Sequence, residues 1–297
     1  MAKKTKTQDI NIRDPYILKH EGSYYLYGTR SETTWGPAEG FDCYVSKDLE
    51  NWSEAFEIFH NDGSFWADRN YWAPEAYFYN EKFYLVTTFG SEKRGLGIQV
   101  LISESPTGPF VPHSDGFVTP KDWQCIDGTL YFDNDMTPYL VYSRSFFQEP
   151  KAGMYYLELS KDLSSSVGEP KLMFYASDAP WSKPFPYSKQ EFGMDGDVYF
   201  SDGPFLHRDK DGNLMMIWSS WGENGYTVGL AHSDNKAING NWSHEDVPLF
   251  NQDGGHGMIF RTNEGKLMVT LHYPNDKLCE HPAFYELSET DGSLKIK

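Results

Sequence analysis

The chain repeats one hairpin pattern five times, and no other feature of the sequence restricts its possible folds as strongly. Each copy has a polar or acidic residue, a small residue or proline, an alternating strand, a polar turn and a second, more apolar strand. The copies are 13–29 (RDPYILKHEGSYYLYGT), 73–89 (APEAYFYNEKFYLVTTF), 126–144 (IDGTLYFDNDMTPYLVYSR), 201–220 (SDGPFLHRDKDGNLMMIWSS) and 255–273 (GHGMIFRTNEGKLMVTLHY). The sequence therefore predicts five antiparallel hairpins of one kind.

A second unit follows each copy, in which a strand ends in serine and a polar turn and a further extended segment continues, as in DCYVSKDLENWSEAFEIF and IQVLISESPTGPFVPH. Two hairpins per repeat give four antiparallel strands, and such a unit repeated around an axis is a propeller blade. We predict an all-β protein in which residues 1–297 form a single five-bladed β-propeller domain. A β-sandwich is the alternative architecture, but it does not require one first-strand signature five times.

Residues 175–190 interrupt the third repeat and contain three prolines. Proline-rich insertions of this length are typical of long connections rather than of strands. We predict a long surface loop there.

Composition narrows the class of partner. The formal net charge is −17, which disfavours nucleic acid and anionic membranes as partners because both are bound through basic patches. Aromatic residues make up 16% of the chain, and aromatic rings suit carbohydrate because an apolar ring face stacks on the C–H face of a sugar. A neutral carbohydrate is the predicted partner, and the oligomeric state is left open.

Cysteine usage and the N-terminus bear on location. Three cysteines without C-x-x-C spacing make a disulfide framework or a zinc site improbable. The start MAKKTKTQDINI has basic residues but no apolar run behind them. As written, the sequence favours the cytoplasm, and a periplasmic or secreted location applies if a leader precedes it.

The residues that open the five inner strands are the candidate functional residues. In the order of the repeats they are Asp14, Glu75, Asp127, Asp202 and His256. First strands of blades line the central axis of a propeller, so four carboxyls and an imidazole are expected to converge. Each acid alone is also explained as a strand-start carboxylate that accepts backbone N–H groups. Two carboxyls across a cleft are what glycoside hydrolysis requires, one as acid and one as base or nucleophile.

The blade starts IRDPYI, WAPEAYFYNEKFYLV, IDGTLYFDNDMTPYLVY, SDGPFLHRDKDGNLMMIWSS and GHGMIFRTNEGKLMV resemble those of glycoside hydrolase family 43. The resemblance runs in order from Asp14 to about Tyr273. It implies a five-bladed propeller that hydrolyses β-D-xylosides or α-L-arabinofuranosides with inversion at the anomeric carbon. A retaining, fructosidase-like propeller is disfavoured because the chain lacks a W-M-N-D-P-N-G start.

The resemblance also implies roles for three catalytic residues. Asp14 is the expected general base, and Asp127 is expected to orient and tune the proton donor. The family's donor is usually a glutamate before Gly-Pro, and here the matching residue is Asp202 in SDGPF. Aspartate is shorter by one methylene, and a displacement of about 1 Å can cost about 100-fold in rate. Glu191 and Asp197 are the reserve candidates for the donor.

The remaining candidates concern substrate and metal. By the same resemblance, His256 lies where the family has an axial histidine, often beside a hydrated calcium ion, although a histidine between two glycines is also explained by close packing. No cofactor is required for the chemistry. Glu75 is expected to shape the pocket, and Trp72 is expected either to stack on a sugar or to pack in the core.

The expected function is an inverting, exo-acting glycosidase for plant-wall pentosides, with α-L-arabinofuranosides first and β-D-xylosides second. Base and donor are expected roughly 6.5 to 9.5 Å apart, which leaves room for water. The alternative is a non-catalytic sugar-binding propeller, for which the aspartate at position 202 is the best argument.

Overall fold

The computed structural model describes residues 4–297, which form five antiparallel sheets in sequence order. The inner strands of neighbouring sheets contact one another in ring order, and the last contacts the first. The protein is a five-bladed β-propeller, and the predicted fold class is confirmed.

Blade 1 differs from the other four because its outer edge is divided. Its first strand pairs with the fifth, and its sixth pairs with the fourth. The strands are β1 (Thr5–Lys6), β2 (Ile12–His20), β3 (Ser23–Arg30), β4 (Gly40–Ser46), β5 (Asn51–Trp52) and β6 (Phe56–His60).

Blades 2 and 3 have four strands each, in consecutive order. Blade 2 comprises β7 (Arg69–Tyr79), β8 (Lys82–Ser91), β9 (Gly95–Ser103) and β10 (Val111–Pro112). Blade 3 comprises β11 (Cys125–Phe132), β12 (Pro138–Arg144), β13 (Gly153–Leu159) and β14 (Ser166–Tyr175).

Blades 4 and 5 repeat this order. Blade 4 comprises β15 (Asp202–Arg208), β16 (Leu214–Gly222), β17 (Gly225–Ser233) and β18 (Trp242–His244). Blade 5 comprises β19 (Gly255–Arg261), β20 (Leu267–Tyr273), β21 (His281–Thr290) and β22 (Ser293–Ile296). The five predicted hairpins are β2–β3 in blade 1 and the first two strands of each of the other four blades.

Helices contribute little. In the part of the chain that the structure describes, three short 3-10 helices cover Thr7–Asp9, Ser31–Thr33 and Ala176–Asp178, and one α-helix, α1, covers Ser188–Phe192. Within residues 4–297 no helix combines the length and the apolar character needed to cross a membrane.

The hydrophobic core lies between the blades rather than within one. Four clusters of buried residues join blades 1, 2 and 5, blades 2 and 3, blades 3 and 4, and blades 4 and 5. Large side chains such as Trp52, Phe41 and Trp218 are fully buried there. Burying one such side chain contributes about 1.5 to 3 kcal/mol, so sheet-on-sheet packing stabilises the ring.

The proline-rich connection between β14 and β15 departs from the prediction of a surface loop. Trp181 is buried and packs on Trp218, with ring centroids 4.8 Å apart. Gly229 makes room for it, because a Cβ at that glycine would lie 2.0 Å from the Trp181 ring. Periodicity did not reveal this anchor, because a single buried side chain leaves no pattern in the sequence.

Each inner strand carries a bulge at the same place. The register with the second strand shifts after Arg13, Trp72, Ile126, Asp202 and Gly255. The residue that follows each of these has a left-handed backbone, with φ of 53°, 46°, 58°, 50° and 49° at Asp14, Ala73, Asp127, Gly203 and His256. Four of the five are not glycine, and such strained positions cluster at functional sites.

Candidate active site

A cavity of about 590 Å³ opens at the bulged ends of the inner strands. Asp14, Asp127, Asp202 and His256 all line it, so four of the five strand-opening candidates share one cavity. Aromatic side chains form much of its wall: Trp35, Trp72, Phe146, Phe147, Phe185, Tyr187, Phe192, Phe200, Trp221 and Tyr226. A concave aromatic wall around a few polar groups is the usual form of a small-molecule site.

The bulges correct the expectation that the five candidates occupy one equivalent position. Asp14, Asp127 and His256 are the left-handed residues of their bulges, whereas Asp202 comes one residue before the left-handed Gly203. Glu75 comes two residues after the left-handed Ala73. Alignment of the repeats by sequence alone does not show these offsets, because a bulge changes which side of the strand each residue faces.

Asp14 is held by its neighbours at the junction of blades 5 and 1. The hydroxyl of Thr29 donates to Asp14 Oδ2 at 2.6 Å. Its other oxygen, Oδ1, lies 3.3 Å from His256 Nδ1 and 3.5 Å from His272 Nδ1. One carboxylate oxygen is thus fixed by a donor, while the other is directed at the imidazoles.

Asp127 is the most deeply buried of the three aspartates, and its side chain is 7% exposed. Its backbone N–H donates to Thr88 Oγ1 at 2.9 Å, and Gly203 N–H donates to its Oδ2 at 3.4 Å. Burial, followed by the charges of Asp202 and Asp14, raises the pKa of Asp127 well above its usual value. Such a carboxyl favours its protonated form.

Asp202 accepts a hydrogen bond from Tyr226 Oη at 3.1 Å on its Oδ2. Burial raises the pKa of Asp202 to about 7, the charge of Asp14 adds to the rise, and the Tyr226 hydrogen bond and Arg13 oppose it. The side chain therefore keeps a proton up to near-neutral pH. A carboxyl tuned in this way is suited to general acid catalysis.

His256 lies against both other aspartates, with Nδ1 3.3 Å from Asp14 Oδ1 and 3.7 Å from Asp127 Oδ2. Burial lowers its pKa, which favours the neutral imidazole. The ring packs on Gly203, where a Cβ would lie 2.7 Å from it, so the close-packing interpretation of GHG describes this contact.

The described residues do not offer a protein cage for a metal ion. Within residues 4–297 no three or more His, Cys, Asp or Glu side chains are grouped so as to hold a metal ion. Calcium takes six to eight oxygen ligands, so the site around His256 does not fit a protein-coordinated calcium. A water-rich ion beside His256 stays a prediction, and no step below depends on it.

Glu75 does not line the cavity, contrary to the expectation that it shapes the pocket. It is 6% exposed, and the Tyr77 hydroxyl donates to its Oε2. Burial raises its pKa to about 8, although the hydrogen bonds from Tyr77 and Thr129 oppose the rise. The two-residue offset from the bulge places this acid among buried side chains instead of in the cavity.

Trp72 lines the cavity and is only partly buried. Its Nε1 donates to the carbonyl of Thr34 at 2.5 Å, and its ring meets that of Trp35 edge to face at a centroid distance of 5.4 Å. Trp35 is itself 58% exposed. The two rings form an aromatic wall available to a sugar.

Of the two reserve candidates, Glu191 lines the cavity from α1, whereas Asp197 does not. Both side chains are exposed. Of the acidic residues in the β14–β15 connection and at the start of blade 4, Asp202 and Glu191 are therefore the two that face the cavity.

Three residues that surround the aspartates were not among the sequence-based candidates: Arg13, Glu280 and Tyr226. Arg13 Nη1 pairs with Glu280 Oε1 at 2.9 Å, and Glu280 also accepts the Ser31 hydroxyl at 2.6 Å. Tyr226 comes from a third strand, and its ring stacks on His272 at a centroid distance of 5.4 Å. Arg13 directly precedes Asp14, whereas Glu280 is 267 residues from Arg13 and Tyr226 is 24 residues from Asp202, and no sequence pattern links these pairs.

Comparisons with known proteins agree with this architecture. The model of the family described as glycosyl hydrolases family 43 matches residues 8–289. An endo-arabinase structure from Bacteroides thetaiotaomicron VPI-5482 is 34% identical with a TM-score of 0.87, and the alignment covers 97% of this chain and 98% of that one. No curated protein sequence matches the chain.

Two further solved structures are similar over nearly their whole length. A thermostable family-43 glycoside hydrolase is 26% identical with a TM-score of 0.81, with coverage of 99% of this chain and 96% of that one. An endo-1,4-beta-xylanase from Bacteroides thetaiotaomicron VPI-5482 is 25% identical with a TM-score of 0.75, with coverage of 100% and 97%. The similarity thus spans the five blades rather than one motif.

Proposed function

The chain belongs to glycosyl hydrolase family 43, and we propose that it is an inverting hydrolase of α-L-arabinofuranosyl linkages in plant cell-wall polysaccharides or oligosaccharides. One observation carries the proposal: Asp14, Asp127 and Asp202 share one cavity, and the pKa of Asp202 lies near 7. Glycoside hydrolysis needs one carboxyl that stays protonated and a second carboxyl close to it in the same site.

In the proposed reaction, Asp202 donates its proton to the glycosidic oxygen as the bond to the anomeric carbon breaks. The Asp14 carboxylate removes a proton from a water molecule, whose oxygen attacks that carbon from the opposite face. The sugar leaves with inverted configuration. Proton return from Asp14 to Asp202 through solvent completes the cycle.

Asp127 has a supporting role in this scheme. Its Oδ2 lies 3.7 Å from His256 Nδ1 and accepts the backbone N–H of Gly203, the residue after the proposed donor, at 3.4 Å. The charge of Asp202 raises the pKa of Asp127, so ionising both carboxyls together is unfavourable. The pair formed by Asp127 and the proposed donor Asp202 therefore tends to keep at least one proton.

The preference for arabinofuranosyl linkages is supported by the similarity to an endo-arabinase at 34% identity, against 25% for the endo-1,4-beta-xylanase. The cavity of about 590 Å³ is in the usual range for small-molecule sites, and aromatic rings line it. β-D-Xylosides are the second substrate class. Exo-action remains our expectation, with endo-action as the alternative.

The proposal is tested with aryl α-L-arabinofuranoside, aryl β-D-xyloside and linear arabinan. NMR of the first-formed sugar should show inverted configuration at the anomeric carbon, and retention would refute the mechanism. Arabinose as the first product from arabinan indicates exo-action, whereas longer oligosaccharides indicate endo-action. Preference for the xyloside would refute the substrate assignment alone.

Three variants separate the candidate donors. Asp202→Asn should lose turnover while arabino-oligosaccharide binding persists, and Asp14→Asn should do the same. Glu191→Gln removes the other acid of this region that faces the cavity, and loss of turnover in that variant alone would move the donor role to Glu191. Sugar binding without turnover in the unmodified protein would support the non-catalytic alternative.

A further inference from the structure

Three of the five junctions between blades share one hydrogen bond, whereas at the junction of blades 3 and 4 the N–H of Gly203 donates to Asp127 Oδ2 at 3.4 Å. In these three, the backbone N–H of a left-handed bulge residue donates to a side chain on the strand that pairs with the inner strand of the preceding blade. This holds for Ala73 with Thr29 Oγ1 at 2.8 Å, Asp127 with Thr88 Oγ1 at 2.9 Å and His256 with Ser219 Oγ at 2.9 Å. In all three the acceptor is a hydroxyl.

The junction that carries Asp14 differs from these three. There the N–H of Asp14 donates to Nδ1 of His272 at 3.2 Å. His272 lies on β20 and pairs with Gly255 of the inner strand β19. It therefore occupies the register position that Thr29, Thr88 and Ser219 occupy in their own blades. The imidazole is fully buried, and its ring stacks on Tyr226, the residue that donates to Asp202.

The chemistry of imidazole fixes the state of this ring. Because Nδ1 accepts a hydrogen bond, it carries no proton, so the ring is the neutral tautomer protonated at Nε2. Asp14 Oδ1 lies 3.5 Å from the same Nδ1. The ring therefore anchors the backbone of Asp14 without donating a proton to that oxygen.

We propose that His272 is a positioning residue for the base: it holds Asp14 in its left-handed conformation through Nδ1 and leaves Oδ1 free of a donor from its own ring. The inference rests on the proposed function of Asp14 as the base. Burial, Arg13 and His256 lower the pKa of His272 well below its usual value, which agrees with a neutral ring at working pH.

The test uses two variants of nearly equal shape. His272→Asn keeps an acceptor oxygen at the position of Nδ1, whereas His272→Leu removes the acceptor at similar volume, and both lose the stacking on Tyr226. We expect kcat of His272→Leu to fall on the order of 100-fold, the effect of displacing a catalytic group by about 1 Å. His272→Asn should stay within about 10-fold of the unmodified protein, a tenfold change being about 1.4 kcal/mol.

A merely structural role would lower kcat and melting temperature equally in both variants, and that result, or an unchanged kcat in His272→Leu, would overturn the proposal. A readout without turnover separates it from the proposed function. In protein labelled with ¹⁵N-histidine, the signals that vanish in His272→Asn should report an unprotonated Nδ1 and a protonated Nε2. Protonation at Nδ1 overturns the inference even in an active enzyme, and an inactive protein with the expected tautomer refutes only the proposed function.

Discussion

Replacing Glu75 by glutamine should change how stability depends on pH. The carboxyl is buried outside the cavity, and its pKa is raised from 4.5 to about 8. A folded-state pKa above the unfolded value gives a contribution to stability that is complete below about pH 4.5 and is lost as pH rises toward 8. The unfolded chain ionises freely across this range, whereas the folded chain keeps the proton.

The magnitude follows from the two pKa values of Glu75. Each pH unit between them costs about 1.4 kcal/mol of unfolding free energy, so about 3 kcal/mol is lost between pH 4.5 and pH 7. Glutamine cannot ionise, and its amide oxygen still accepts the Tyr77 hydroxyl. The free energy of unfolding of Glu75→Gln minus that of the unmodified protein should therefore increase by about 1.4 kcal/mol for each pH unit over this range.

Urea unfolding at pH 5, 6 and 7 measures this difference directly. The matched control is Glu54→Gln, because Glu54 is exposed, and its difference from the unmodified protein should not change with pH. The hydrogen-bond change in Glu75→Gln adds an offset that is the same at every pH. A constant difference between Glu75→Gln and the unmodified protein across this range would refute the argument that burial keeps Glu75 protonated.

Three further predictions concern the cavity. Because Asp202 acts in its protonated form and its pKa is about 7, kcat should fall as pH rises above about 7, and a pH–rate profile that stays flat to pH 9 would contradict the assignment. Gly203→Ala should lower the free energy of unfolding by about 1 to 3 kcal/mol in urea titrations, because φ is 50° and a Cβ would lie 2.7 Å from His256. Gly212→Ala is the matched control, because Gly212 is also left-handed but a Cβ there would meet open space, so the difference between the two variants measures the steric clash with His256. Trp72→Ala should raise KM about tenfold with little change in kcat, as expected for a lost stacking contact of about 1.4 kcal/mol, and an unchanged KM would show that the ring does not contact sugar.

The polar signature at each blade start made much of the site predictable. Asp14 and Asp127 lie where the repeat indicates, because a hairpin repeated around an axis brings the starts of its inner strands together. Asp202 also faces the cavity, although it lies one residue before the equivalent position. Glu75 does not face the cavity, because a bulge changes the orientation of the residues that follow it relative to the axis. The sequence pattern does not show where a bulge occurs.

The sequence by itself determined the strand pattern, the number of blades and the three aspartates, because these follow from local periodicity copied five times. Only the tertiary structure decided the partners of those acids. Glu280 pairs with Arg13 across 267 residues, and Tyr226 and His272 contact the aspartates from positions that the repeat pattern does not single out. The pKa of a buried carboxyl depends on what surrounds it in space, and closing the ring of blades is what creates those surroundings.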